Sequence, residues 1–141
     1  LVSDATFTGA VSIRLALPEH CERRGKGFLA GLSSVAGDRG RKKNMTYGAA
    51  KAGLSVYVQG LQQRLAATAV KVVLVKPGFV DTRMTWPLGK LPFCASPERA
   101  ARDILRAAGK GRPELYTAWI WRWIMLAVRS VPFFLFKRMK F

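Results

Sequence analysis

One histidine, two cysteines and eight acidic residues among 141 deprive this chain of several kinds of chemistry. With His20 alone, a His-rich zinc site is excluded and a Ser-His-Asp hydrolase is disfavoured. Cys21 and Cys94 are too few for a disulfide framework and lack the spacing of metal ligands, so no metal site is expected. No initiator Met and no basic segment precede the opening LVSDATFTG, which is therefore not a secretory signal. That opening reads as the middle of a helix, and the expectation is that further chain lies upstream. Zinc-finger spacing, an RRM-like run and a clear helix-turn-helix pattern are all missing. Internal repeats and low-complexity tracts are missing too.

What is present is globular. Half of the residues are hydrophobic, with 13 Gly and 7 Pro, and the length suits one domain. Lys and Arg number 24 against eight acids, a net charge of +16. A charge of that size points to an anionic partner: nucleic acid, lipid headgroups or a phosphorylated ligand. Residues 1–70 carry ten basic against four acidic residues, and residues 71–141 carry fourteen against four, so the second half leads. The densest run is Arg39, Arg41, Lys42 and Lys43. Its plain reading is a solvated loop; headgroup contact and a phosphate-bearing ligand are the alternatives.

The hydrophobic pattern alternates between helical and extended periods. Residues 1–17 read as a helix, with Ala10, Ile13 and Leu17 at helical spacing and Pro18 where it should stop. Residues 19–27 read as a polar connector, and FLAGLSS (28–34) as a buried strand ending in hydroxyls. A Gly-rich, charged loop follows over 36–44. From Met45 to about Ala67 the pattern predicts a long helix, with Leu54, Tyr57, Val58, Leu61 and Leu65 on one face. VKVVLV (70–75) is the clearest strand, rich in β-branched residues and ended by Pro77-Gly78. Residues 79–95 read as a loop or lid. Ser96-Pro97-Glu98 is a helix start, with Ser as N-cap, Pro at the first helical position and an acid in the first turn. That helix should run to Ala108, with Gly109 closing it. A short strand over Glu114–Thr117 and a final apolar helix over Ala118–Val131 complete the chain. Alternation of this kind predicts an α/β fold with a parallel sheet and flanking helices, and ligands beyond the carboxyl ends of the strands.

Tyr47 and Lys51 stand four apart at the start of the long helix and share one face. Ser34 ends a predicted strand thirteen residues earlier. A phenol, with a pKa near 10, is a poor base at neutral pH, and an ammonium beside it favours the phenolate. A Tyr so tuned can exchange the proton of a carbonyl or an alcohol, and a Ser hydroxyl can hold the same oxygen by a hydrogen bond. Taken alone, the Tyr–Lys pair is better explained by a structural Tyr beside a surface Lys. The strand-end Ser, the position at a helix start and the Pro-Gly after the next strand change that balance.

These residues carry a resemblance. SSVAGDRGRKKNMTYGAAKAG followed by VKVVLVKPGFVDTRMT resembles the short-chain dehydrogenase/reductase family, and the likeness covers nearly the whole chain. It implies the carboxyl-terminal part of a doubly wound, Rossmann-type parallel sheet. It also implies NAD(P)-dependent interconversion of a ketone and a secondary alcohol by hydride transfer, with NADPH or NADH as cofactor. On the family pattern, Tyr47 is the catalytic acid/base, Lys51 assists it and binds the nicotinamide ribose, and Ser34 orients the substrate oxygen. Pro77 and Gly78 border the nicotinamide, Val80 and Thr82 contact its carboxamide, and Asp81 is a loop or capping residue. Two departures stand out. The Gly-rich cofactor fingerprint and the residue that selects NAD or NADP are absent, so activity is expected of a whole fold rather than of these 141 residues alone. Thr6 stands where the family carries an Asn that helps hold a water in the proton path.

The tail sets this chain apart. YTAWIWRWIMLAVRSVPFFLFKRMKF (116–141) interleaves Trp119, Trp121, Trp123, Phe133, Phe134 and Phe136 with basic residues, and no acid follows Glu114. Arg122, Arg129 and Pro132 interrupt it short of the roughly 20 apolar residues a membrane span needs. The division expected is a Rossmann-type part over 1–117 and a basic aromatic tail over 118–141. The tail suits a helix lying among lipid headgroups; packing on the domain or on a second subunit is the alternative, and nucleic acid ranks last. A similarity to the bacterial decaprenylphosphoryl keto-pentose reductase-like branch accompanies it. The resulting expectation is a cytoplasmic homo-oligomer at the inner face of the membrane, acting on a small-molecule or lipid-linked carbonyl substrate. The rival is a membrane-associated or binding module that keeps the fold without the chemistry.

Overall fold

The computed structural model describes residues 18–83, 85–89 and 91–139. The helix expected over residues 1–17, and Thr6 with it, lie outside the described residues. Three parallel strands, β1 (Lys26–Leu32), β2 (Ala69–Pro77) and β3 (Glu114–Thr117), form one sheet in the order β1-β2-β3. Helix α1 (Met45–Arg64) connects β1 to β2, and α2 (Pro97–Gly109) connects β2 to β3. Parallel neighbours require such crossovers. Helix α3 (Ile120–Ser130) and the short turn of helix α4 (Phe133–Phe136) follow β3.

The central strand explains the layering. Along β2, Val70, Val72 and Leu74 face one way and pack with Leu54, Val58 and Leu61 of α1 and with Leu65 just after it. Val73 and Val75 face the other way and pack with Ala107 of α2, beside Ala30, Ile104 and Leu115. Both faces of β2 are thus covered from Val72 to Val75, which is why that stretch is apolar without alternation. Register runs from Lys26 against Ala69 to Leu32 against Val75, and from Leu74 against Glu114 to Pro77 against Thr117. The carboxyl ends of β1 and β2 therefore lie side by side, so residues leaving them emerge at one edge.

Several expectations hold closely. Ser96 caps α2 by accepting the Arg99 N–H at 3.2 Å, with Pro97 in the first turn. Others are corrected. Residues 18–24 are helical rather than a connector, with Pro18 itself in helical structure. Its fixed φ suits a helix, and the polar residues after it are ordinary on an exposed helix surface. Strand β1 starts two residues before Phe28 and ends at Leu32, leaving Ser33 and Ser34 beyond it. It is not buried throughout either: Phe28 and Leu32 are exposed, on the face where only Ala30 between them packs against the core. The final helix is shorter than 118–131, because Ala118 adopts a positive φ of 52° that turns the chain between β3 and α3.

Candidate active site

The turn after β1 lies directly on α1 because glycine stands on both sides of the contact. A Cβ on Gly37 would fall 2.8 Å from the Ala52 backbone nitrogen, and one on Gly48 would fall 2.9 Å from the Ala36 carbonyl oxygen. Ser34 caps this turn, its Oγ accepting the Ala36 N–H at 3.1 Å. Next to it, buried Ser33 extends the ladder, donating its N–H to the Val75 carbonyl at 2.8 Å. The Lys51 carbonyl accepts from the hydroxyls of Ser33 and Ser55 at 2.8 and 2.9 Å. The end of β1 is thereby fastened to α1 at the level of Lys51.

The Lys51 side chain makes the same connection from the other direction. Its Nζ donates to the Leu32 carbonyl at 2.9 Å and lies 5.7 Å from the centre of the Tyr47 ring. The structure thus brings Lys51 to both Tyr47 and the end of β1, two residues before Ser34. All three side chains are half-buried at the carboxyl edge of the sheet.

The residues after β2 divide. Pro77 ends the strand opposite Thr117, one strand over from Ser34. Gly78 is covered by the Trp121 indole, into which any Cβ at that position would run. Val80 leads into a loop closed by a bridge to Ala95. Thr82 is exposed, and its N–H donates to Thr85 Oγ1 at 3.0 Å. Asp81 has the loop role read from sequence: its carboxylate accepts the Trp86 indole N–H at 2.9 Å.

Two groups escaped the sequence reading. Lys76, the residue before Pro77, is buried, with Nζ 2.8 Å from Asp38 and 2.6 Å from Glu114. Tyr116 Oη donates to Asp38 at 2.8 Å. Burial alone would lower the Lys76 pKa; the hydrogen bonds and charges of Asp38 and Glu114 more than offset it and hold the ammonium above the usual lysine range. Burial, then the bond to Asp38, raises the Tyr116 hydroxyl above the ordinary phenol value. The network ties the Ser34 turn, whose last capping residue is Asp38, to the ends of β2 and β3. A Lys directly after the apolar stretch Val72–Val75 was the one sequence signal for it. The second group surrounds Trp121, which packs edge-on against Phe79 at 5.3 Å and Phe93 at 6.5 Å.

The basic run is only partly solvated. Lys42 and Lys43 are exposed, but Arg39 donates to the Val128 and Arg129 carbonyls at 2.9 and 2.6 Å and lies 4.1 Å from the centre of the Phe136 ring. It closes the carboxyl end of α3, where a cation meets unsatisfied carbonyls and the negative end of the helix dipole.

The chain is similar to known proteins in sequence and in fold. The model of the family described as short chain dehydrogenase matches residues 2–91. An uncharacterised oxidoreductase of Mycobacterium tuberculosis is 37% identical over 133 residues, covering 94% of this chain and 53% of that protein. A ketoacyl reductase of Nostoc is 36% identical over 101 residues, covering 67% of this chain and 34% of that protein. Among solved structures, a short chain dehydrogenase from Burkholderia cenocepacia in complex with NADP superposes with a TM-score of 0.81 at 20% identity, over 91% of this chain and 54% of that one. At that identity the likeness is one of fold. The matched part spans about half the length of the Mycobacterium protein and about a third of the Nostoc one.

Proposed function

The chain belongs to the short-chain dehydrogenase family, and within it we propose that this protein interconverts a ketone and a secondary alcohol using NADPH or NADH. The observation that carries the reading is the position of Lys51, which joins the Tyr47 ring to the end of β1 beside Ser34. When bound, the reduced nicotinamide supplies the hydride. The chain's own groups handle the oxygen: the Ser34 hydroxyl holds it, and the Tyr47 hydroxyl passes it a proton. The Lys51 ammonium has three N–H donors, so a bond to Leu32 is compatible with a second to a ribose hydroxyl. Pro77 and Gly78 would border the nicotinamide, and Val80 and Thr82 its carboxamide.

Fit to such a cofactor is supported by the donor set. Lys51 lies beside the Tyr47 ring and bonds to the end of β1, two residues before Ser34, so the three donor residues stand near the carboxyl edge of a parallel sheet, where ligands bind in open α/β folds. The ketoacyl reductase among the relatives supports a ketone as the reducible group. The sequence likeness to the decaprenylphosphoryl keto-pentose reductase-like branch supports a lipid-linked ketone in a cytoplasmic homo-oligomer acting at the membrane face. The test is the whole protein with NADPH or NADH and a panel of ketones, lipid-linked keto-sugars and ketoacyl thioesters included, followed by loss of reduced nicotinamide. Substrate-dependent oxidation is expected with at least one of them. Absence of nicotinamide binding, with no oxidation across the panel, overturns the reading.

A further inference from the structure

Helix α3 has two unlike faces. Trp121 and Met125 point inward and are buried with Val35. Outward, Trp119, Trp123 and Leu126 recur at helical spacing as one stripe and are 70%, 58% and 54% exposed. Beyond Pro132 the exposed apolar surface continues through Phe133, Phe134 and Leu135. No described helix is long and apolar enough to cross a membrane.

The surroundings of the stripe are cationic. A groove of about 250 Å³ between α2 and β3 opens beside Trp119 and is lined by Arg99, Arg106, Lys110 and Arg112. A second groove, sharing Arg112 and Trp119, leads to Arg122. The two acids of these grooves are both engaged, Asp103 with Arg106 at 3.8 Å and Glu114 with Lys76 at 2.6 Å. We infer that the outward face of α3, with α4 and the basic grooves beside Trp119, docks the protein on a membrane surface bearing anionic phospholipid headgroups. Aromatic and aliphatic side chains would enter the headgroup boundary while the arginines meet phosphates.

Charge complementarity selects this occupant over the others. A second copy using the same face would bring two cationic patches together, and the acids beside them are already engaged by Lys76 and Arg106. A nucleic acid would satisfy the arginines but leave Leu126, Phe133, Phe134 and Leu135 in water. The inference goes beyond the proposed reaction and does not depend on it. It does add a geometric link: the helix that presents Trp119 and Trp123 outward also seats Trp121 on Gly78, so the docked face and the end of β2 are two sides of one helix.

The experiment is co-sedimentation of the whole protein with vesicles of phosphatidylcholine alone or mixed with phosphatidylglycerol, at low and high salt. Binding is expected to the anionic vesicles only, with Trp emission moving to shorter wavelength, and it should weaken as salt rises. Arg112→Gln and Arg122→Gln should each weaken it about fivefold. The Trp119→Ala/Trp123→Ala variant should weaken it about tenfold or more with an unchanged far-ultraviolet spectrum, since both side chains are exposed. The proposal is overturned if both vesicle types bind equally or the variants bind like the parent. It is also overturned if no vesicle binds while the two Trp side chains are shielded in a dimer or by another part of the chain, or if single-stranded DNA displaces the protein from anionic vesicles at equal phosphate.

Discussion

Replacing Lys76 by Met is the sharpest test of how the strand ends are held. The Lys76 and Asp38 side chains are 6% and 4% exposed and lie 2.8 Å apart. Met keeps much of the apolar stem and removes the charge. Asp38 would retain the Tyr116 hydroxyl at 2.8 Å but lose its cation. Removing one partner of a buried pair costs about 3–5 kcal/mol, because the other charge stays buried without compensation. Domains of this size have about 5–15 kcal/mol in total, so the variant should be severely destabilised. In urea, with slopes of about 1–3 kcal/mol per molar, the unfolding midpoint should fall by roughly 1–5 M. Asp38→Asn in the Lys76→Met background should recover part of the loss, because the stranded charge is gone. A loss below about 1 kcal/mol for Lys76→Met, the range of an exposed ion pair, would refute the reasoning.

Three further outcomes are expected. Gly78→Ala drives a methyl into the Trp121 indole and should cost about 1–3 kcal/mol or more, read by urea unfolding together with a shift in Trp emission; a neutral effect would show that the indole moves freely. Arg39→Ala removes two carbonyl contacts and the Phe136 contact, so amide exchange across residues 120–136 should speed up by about tenfold while exchange in β2 changes little. Lys76 contributes stability that is complete below the ordinary lysine pKa of 10.5 and is lost as pH rises through its higher folded value. The parent should therefore lose stability above about pH 10.5 by a component that Lys76→Met lacks, which thermal melts across that range will read.

Legibility in the sequence followed the range of the interactions. Strand β2 was plain because burial on both faces demands an apolar run, and the start of α2 was plain because Ser96 caps it through a bond three residues away. The start of β1 was not, since Lys26 and Gly27 have little strand preference and are held by their register with Ala69 and Val70. The Tyr47–Lys51 pair was legible because one helical turn sets it. Lys76, Asp38 and Tyr116 were not read as a unit, because the Tyr116–Asp38 bond joins residues 78 apart. Arg39 was read as part of a solvated run because the carbonyls it meets lie 89 and 90 residues downstream. The tail divided between its two readings for the same reason: Trp121 is packed by partners from distant segments, while Trp119 and Trp123 are not.

The central claim is that Tyr47 passes the proton at the site which Lys51 and Ser34 frame. Its most direct test is Tyr47→Phe in the whole protein, measuring steady-state turnover of a reducible ketone and, separately, the dissociation constant for NADPH or NADH. Phe keeps the ring beside Lys51 and removes only the hydroxyl. Turnover should fall by about 10²–10⁴ while cofactor affinity changes by less than about tenfold. Turnover within about threefold of the parent, at unchanged cofactor affinity, would contradict the account.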